Sequence, residues 1–153
     1  MKETFTLNLL TNKFYEDYPQ EKYPEIENKP SRPYVVLVVN ICGNLFALPL
    51  RTNIRHNYCY KFKNTTRETE SCTGIDYSKA VIITKIDYIG DAAVIDDDEY
   101  VELSSKYFFI IEKFKQYVEK YIEYRTKGGN KYTAQKYAYT TLKYFDKELN
   151  IQT

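Results

Sequence analysis

A chain of 153 residues with 43% hydrophobic and 28% charged side chains is expected to form one domain over residues 1–153 and to bury a core rather than remain disordered. One histidine (His56) and an odd set of cysteines without a CxxC pair (Cys42, Cys59 and Cys72) argue against a two-histidine acid/base pair, a His/Cys zinc site and a disulfide framework, and fit a reducing cytoplasm. No apolar run approaches the roughly 20 residues of a membrane helix, no secretory leader pattern is visible, and the net charge of +1 hides strong segregation. Residues 34–67 carry +5 and no acid, residues 68–112 carry −8, and residues 113–153 carry +5. The polar, basic stretch 51–67 reads as facing an anion, and a polyanion fits two basic segments best. Residues 34–50 read equally well as buried strand, from which acids are excluded. Seventeen Tyr against eight Phe give many rings a polar tip suited to a wet surface.

Thr4–Leu9 alternates polar and apolar residues, the period of a half-buried strand. Residues 11–33 hold four prolines and read as a long loop with at most a short helix. Tyr34–Ile41 is β-branched and nearly continuous, as in a central strand buried on both faces. Gly43-Asn44 signals a hairpin turn, Leu45–Leu48 the returning strand, and Pro49 its end. Residues 51–73 read as a polar loop. Ala80–Ile86 predicts a third strand and Ala92–Ile95 a short fourth. Asp96-Asp97-Asp98-Glu99 suggests a metal cluster by composition, but consecutive acids point in different directions, and a solvated turn and helix start is the expected role. From Leu103 the period becomes helical, with Phe108, Ile111, Phe114 (or Lys115), Val118 and Ile122 on one face and Ser104 or Ser105 as cap. Lys127-Gly128-Gly129-Asn130 stops this helix, and a second is expected from Tyr132 to Glu148. Strands first and a helical pair last make an α+β fold: a compact, strongly bent antiparallel sheet with helices packed on it.

No GxGxxG, P-loop, GxSxG or HExxH motif occurs, so nucleotide cofactors, serine hydrolysis by those motifs and zinc peptidase chemistry have no support. What stands out is Leu48-Pro49-Leu50-Arg51-Thr52-Asn53-Ile54-Arg55-His56-Asn57, where a buried strand enters a basic loop. Its guanidiniums, hydroxyl, amides and imidazole form a phosphate-binding set, since arginine grips phosphate with paired hydrogen bonds. The competing reading is an ordinary polar loop.

The hairpin Tyr34–Leu50, then Arg51-Thr52-Asn53-Ile54-Arg55-His56-Asn57, then Gly74-Ile75-Asp76-Tyr77-Ser78-Lys79 entering a strand, resembles the ToxN/AbiQ/CptN family, the toxins of type III toxin–antitoxin systems. In that family an apolar hairpin ends in Pro-Leu before a Ser or Thr and a basic residue, and a glycine precedes a lysine at a strand start. The resemblance covers most of the chain from Arg32 onward and includes the terminal helices. It implies a MazF-like, barrel-type core and a metal-independent endoribonuclease. It also implies an antitoxin made of repeat-derived pseudoknot RNA, closed protein–RNA hetero-oligomers, and roles in plasmid maintenance and abortive phage defence. Substrate RNA and antitoxin RNA are then the partners, with neither DNA nor a membrane among them.

On this reading the RNA 2′-hydroxyl attacks its own phosphate, leaving a 2′,3′-cyclic phosphate and a 5′-hydroxyl. Thr52, Arg55, Arg32 and His56 are the catalytic candidates. Arg51, Asn53, Lys61, Lys63, Ser78 and Lys79 are the RNA-binding candidates. Arg55, Arg51 and Arg32 suit charge stabilisation, and Thr52 a hydrogen bond to a non-bridging oxygen or a proton relay. His56 is either a proton carrier or a structural hydrogen-bonding residue. Lys79 is either an RNA contact or an edge lysine that blocks aggregation. Where some members carry a lysine two residues after the Ser/Thr, this chain has Ile54 and places Arg55 one residue further on. A family tyrosine near the N-terminus matches Phe14 or Tyr15. Tyr117, Tyr121 and Tyr124, or Lys131, Lys136 and Lys143, are either RNA contacts or the edge of the core. The competing functions are a non-catalytic RNA-binding module and a protein-interaction domain.

Overall fold

The β-branched run after Tyr34 forms the middle of the sheet, because only a strand with neighbours on both sides and packing on both faces can hide it. The computed structural model describes residues 5–26, 34–63 and 72–152. In chain order these form β1 (Thr6–Leu10), α1 (Asn12–Asp17), β2 (Val35–Ile41), β3 (Asn44–Arg51), β4 (Cys59–Lys61) and β5 (Gly74–Asp76). There follow a 3₁₀ turn (Tyr77–Lys79), β6 (Val81–Ile82), a 3₁₀ turn (Ile86–Tyr88), β7 (Ile89–Ala92), α2 (Asp97–Ser105), α3 (Tyr107–Lys127), α4 (Lys131–Lys136) and a last 3₁₀ turn (Thr141–Phe145). All pairings are antiparallel, in the order β4-β5-β3-β2-β1-β7, with β6 also on β3. The class is therefore α+β. The sheet has two ends, β4 and β7, and is not closed among the described residues, so the barrel-type core expected from the resemblance is not what the strands form.

Several elements differ from the sequence reading, each for a local reason. The β2–β3 turn is Cys42-Gly43, both at positive φ (52° and 83°), the geometry of a two-residue hairpin turn. Strand β3 runs through Pro49 to Arg51. Its outer edge is shared between β6, at Phe46 and Ala47, and β5, at Leu50 and Arg51, so proline falls where no ladder partner needs its missing N–H. The expected strand over Ala80–Ile86 shrinks to Val81–Ile82, and the fourth begins three residues early, at Ile89. Strand β4 was hidden in the polar stretch 51–73. It is held by Glu102 of α2, whose carboxylate accepts from the Lys63 amide (2.9 and 3.0 Å) and from the Tyr60 hydroxyl. Asp97 and Asp98 are exposed in the first turn of α2 as expected, but Glu99 is buried.

Helix α3 packs on the sheet through Tyr107, Ile110, Phe114, Tyr117, Val118 and Tyr121, while Phe108 is 60% exposed. The buried stripe is rotated from the expected one because the tyrosines bury their rings and satisfy their hydroxyls. Tyr117 donates to Thr140 (3.0 Å), and Tyr121 accepts from Arg125 (2.7 Å). Lys106, without a side-chain cap bond, stands where Ser104 or Ser105 was expected. The second terminal helix is broken after Lys136. Thr140 is extended (ψ 139°) and its hydroxyl caps the last 3₁₀ turn, while Thr141 reaches the Ser78 and Ala80 carbonyls and ties this segment to the turn before β6. No helix of the described residues is long and apolar enough to cross a membrane.

Phe46 and Tyr77 meet Phe114 of α3 (ring centroids 5.1 and 5.5 Å), and Tyr60 meets Phe109 (6.3 Å). Alternation then turns Ala47, Pro49 and Arg51 to the other face. Gly74 lies where β5 squeezes between β3 and β4: a Cβ there would sit 2.0 Å from the Tyr60 carbonyl oxygen. Gly74→Ala is expected to lower stability by about 1–3 kcal/mol, as overpacking does. Urea unfolding checks this, and an unchanged midpoint would contradict the close approach.

Candidate functional site

Asp76, at the end of β5, has no exposed side-chain surface and lies in a segment, 73–78, that is buried throughout. A buried carboxylate must find donors, and here each donor brings a different element. The Arg51 guanidinium at the end of β3 donates to Oδ2 at 2.6 Å. The Ser78 hydroxyl and amide donate to Oδ1 at 2.6 and 3.0 Å, capping the Tyr77–Lys79 turn. His56 places Nε2 3.3 Å from both carboxylate oxygens and from the Ser78 hydroxyl. Its other nitrogen, Nδ1, accepts from the Tyr58 amide at 3.0 Å, which assigns the ring proton to Nε2. Burial alone would raise the Asp76 pKa. Hydrogen bonds from His56 and Ser78 and the Arg51 charge outweigh it, and the carboxyl titrates below the ordinary aspartate value.

This cluster fixes both ends of the loop from Thr52 to Asn57. Thr52, Asn53 and Arg55 are exposed, Asn53 takes a positive φ of 62°, and Ile54 is buried as the loop's apolar anchor, its amide bonded to the Cys72 carbonyl (3.2 Å). Arg55 touches the Cys72 sulfur at 3.7 Å and otherwise faces solvent. Ile54 thus turns inward and Arg55 out.

The other candidates divide. Arg51, His56 and Ser78 belong to the cluster, Ser78 as a buried positioning group. The Lys79 ammonium donates to the Tyr139 carbonyl at 3.0 Å, which ties it to the C-terminal segment. Lys61 and Lys63 are exposed, and Lys61 shares a cross-strand row with Gly74 and Arg51, so two strand spacings, about 10 Å, separate its backbone from that of Arg51. Arg32 lies outside the described residues.

On the face away from α3, Arg51 and Lys79 border a pocket of about 30 Å³ with Tyr15, Tyr34 and Pro49, and the Arg51 guanidinium lies 5.8 Å from the Tyr34 ring centre. Phe14 is fully buried, so of the two N-terminal candidates it is Tyr15 that reaches this pocket. Burial, reinforced by Tyr34, pushes the Tyr15 hydroxyl up to about 12, so it stays protonated near neutral pH. Tyr117 and Tyr121 are core, while Lys136 lies over the Tyr58, Tyr117 and Tyr137 rings.

The reading of the sequence missed Asp76 as an organising group. The signal was present: it is the one acid between residues 71 and 86. Tyr34 and Tyr58, whose roles come from ring contacts between distant segments, carried no such signal. Neither a family model, nor a curated protein, nor a solved structure matches the chain.

Because the folded-state pKa of Asp76 is depressed, its contribution to stability is complete above the unfolded value, near 3.9, and is lost as pH falls through the folded value. Asp76→Asn is expected to cost about 3 kcal/mol, the low end for breaking a buried pair because Arg51 and His56 remain 18% and 31% exposed. Thermal unfolding across pH 2–7 checks both effects: the parent should lose more stability than the variant below about pH 4.

Proposed function

We propose that the protein is a metal-independent endoribonuclease toxin, restrained by a repeat-derived RNA antitoxin that it also processes. The observation that carries this reading is the Asp76-anchored cluster, which presents Thr52, Asn53 and Arg55 as exposed groups on a fixed base beside Arg51 and Lys79. The relation to MazF-type toxins belongs to the same proposal. It is implied by the resemblance to the ToxN/AbiQ/CptN family, which rests on the order of hairpin, basic loop, glycine-to-lysine strand start and a long helix near the C-terminus.

RNA supplies its own nucleophile, so the protein need only align the 2′-oxygen with the phosphate, stabilise charge on phosphorus and move protons. Arg55 suits the role of gripping the scissile phosphate, since its guanidinium is exposed and permanently charged. Thr52, at the strand end, offers a hydroxyl to a non-bridging oxygen. Arg51 holds the cluster together and adds positive potential. Both His56 nitrogens are engaged, Nδ1 by the Tyr58 amide and Nε2 by Asp76, so the ring serves to position the loop rather than to carry a proton. Closed protein–RNA assemblies would form as RNA phosphates bridge the basic 34–67 and 113–153 segments of neighbouring chains.

That engagement of His56 also favours one competing reading, an RNA-binding module that does not cut. Purified protein incubated with RNA in EDTA separates the two. The toxin reading expects cutting that survives chelation and leaves 2′,3′-cyclic phosphate ends; binding without cutting supports the module.

Thr52→Ala and Arg55→Ala are each expected to slow cutting on the order of 100- to 1,000-fold and to relieve growth arrest in cells expressing the protein alone. Their stability should move by less than about 1 kcal/mol, since both side chains are exposed. Folded variants that cut at the parent rate would remove the assignment. His56→Ala should leave the shape of the pH–rate profile intact, and loss of a limb near neutral pH would return the proton to His56.

A further inference from the structure

Beside β4, on the α3 side of the sheet, an open cleft of about 370 Å³ runs between Tyr58 and Tyr60 on one wall and Phe109, Lys113 and Lys120 on the other, with Lys136 of α4 at its end. We infer that this cleft is a second RNA subsite, which holds a nucleotide next to the one gripped at Thr52–Arg55, its phosphate on Lys113, Lys120 and Lys136 and its base against Tyr58 and Phe109. The inference rests on the RNA reading above and adds a place where the strand continues.

The first argument is charge. The cleft is lined by three lysines and no carboxylate, and none of the three is in an ion pair among the described residues. Lys113 and Lys120 are seven residues apart on α3 and so project from one side of it. Lys136 is brought back over the cleft by the turn at Gly128-Gly129-Asn130. The Asn130 side chain there accepts from the Tyr132 and Thr133 amides (2.9 and 3.2 Å) and starts α4. Its ammonium lies 5.2–5.9 Å from the Tyr137, Tyr117 and Tyr58 ring centres. Burial and the nearby Lys120 make that charge harder to hold, which an arriving phosphate would relieve.

The second argument is shape. Phe109 is 53% exposed with the Lys113 ammonium over its ring, 5.6 Å from the centre, so an aromatic surface and a cation meet in solvent. Bases stack on such faces with little sequence preference, while lysines track the backbone. The third is continuity. Tyr58 stacks on His56 (5.4 Å, 23°), so one edge of the cleft is the back of the candidate active-site loop. An acidic peptide would use the lysines but not the rings.

The test uses the full chain and 2′-O-methyl oligonucleotides, which lack the nucleophile and are not cut. Fluorescence anisotropy compares the parent with Lys113→Ala/Lys120→Ala and with Phe109→Ala, all at exposed positions. For an eight-nucleotide strand the double variant should bind at least ten-fold more weakly, with a log–log salt slope smaller by roughly 0.7 per lost phosphate contact. Phe109→Ala should bind on the order of five-fold more weakly or worse. A dinucleotide, which the primary site can hold alone, should bind all three proteins alike. A parent that binds the eight-nucleotide strand while both variants bind it equally well overturns the subsite and leaves the RNA reading standing. A parent that binds neither RNA overturns both. Poly-glutamate of matched charge binding as tightly as the RNA would overturn the subsite in favour of an acidic protein partner.

Discussion

The arrangement depends on one buried negative charge. Removing a carboxylate from water costs several kcal/mol, and Asp76 offsets this only if Arg51, Ser78 and His56 all reach it. Those donors come from a strand end, a turn and a loop, so satisfying the charge also fixes where the three segments meet. The loop between Arg51 and His56 is thereby pinned at both ends while Thr52, Asn53 and Arg55 remain in solvent. Rigid support with exposed tips is what a site needs in order to act without reorganising when a ligand arrives.

The tyrosines extend the same logic into the core. Tyr77 donates to the Ile110 carbonyl, Tyr137 to the Tyr117 carbonyl, Tyr117 to Thr140, and Tyr60 to Glu102. Each buries a ring and spends its hydroxyl on a partner from another element, so the contact between sheet and helices is directional as well as apolar. Arg125 does similar work at the end of α3, with two 2.8 Å bonds to Asp146 and one to the Tyr121 hydroxyl. Much of the tyrosine thus serves to orient the core, while Tyr58 borders the open cleft beside Lys136.

Continuous apolar patterning was the most legible part of the chain. The Tyr34–Leu48 hairpin, its tight turn, the α+β class and most of α3 follow from residue period and turn chemistry. Short elements were not legible, because their stability comes from partners distant in sequence. Strand β4 exists because Gly74 admits it and Glu102 holds it, neither of which is visible in Cys59-Tyr60-Lys61. The helix expected over Tyr132–Glu148 is interrupted where Thr140 caps a 3₁₀ turn and Thr141 bonds to the Ser78 carbonyl. At the candidate site the basic loop could be found from composition. The buried acid that organises it, and the choice of Tyr15 over Phe14, required the fold.

The division of β3's outer edge has a mechanical meaning. Strand β2 pairs with β3 over six residue pairs, whereas β5 holds β3 by only two, Leu50 with Ile75 and Arg51 with Gly74, before the ladder breaks opposite Pro49. Strands β4 and β5 therefore rest less on backbone pairing to β3 than on what they bury, Tyr60, Ile75 and the adjoining Phe62 in the core and Asp76 against Arg51. The Arg51–Asp76 contact adds a side-chain tie to those two residue pairs. The loop between Arg51 and His56 thus takes its fixed position from side-chain contacts more than from strand pairing.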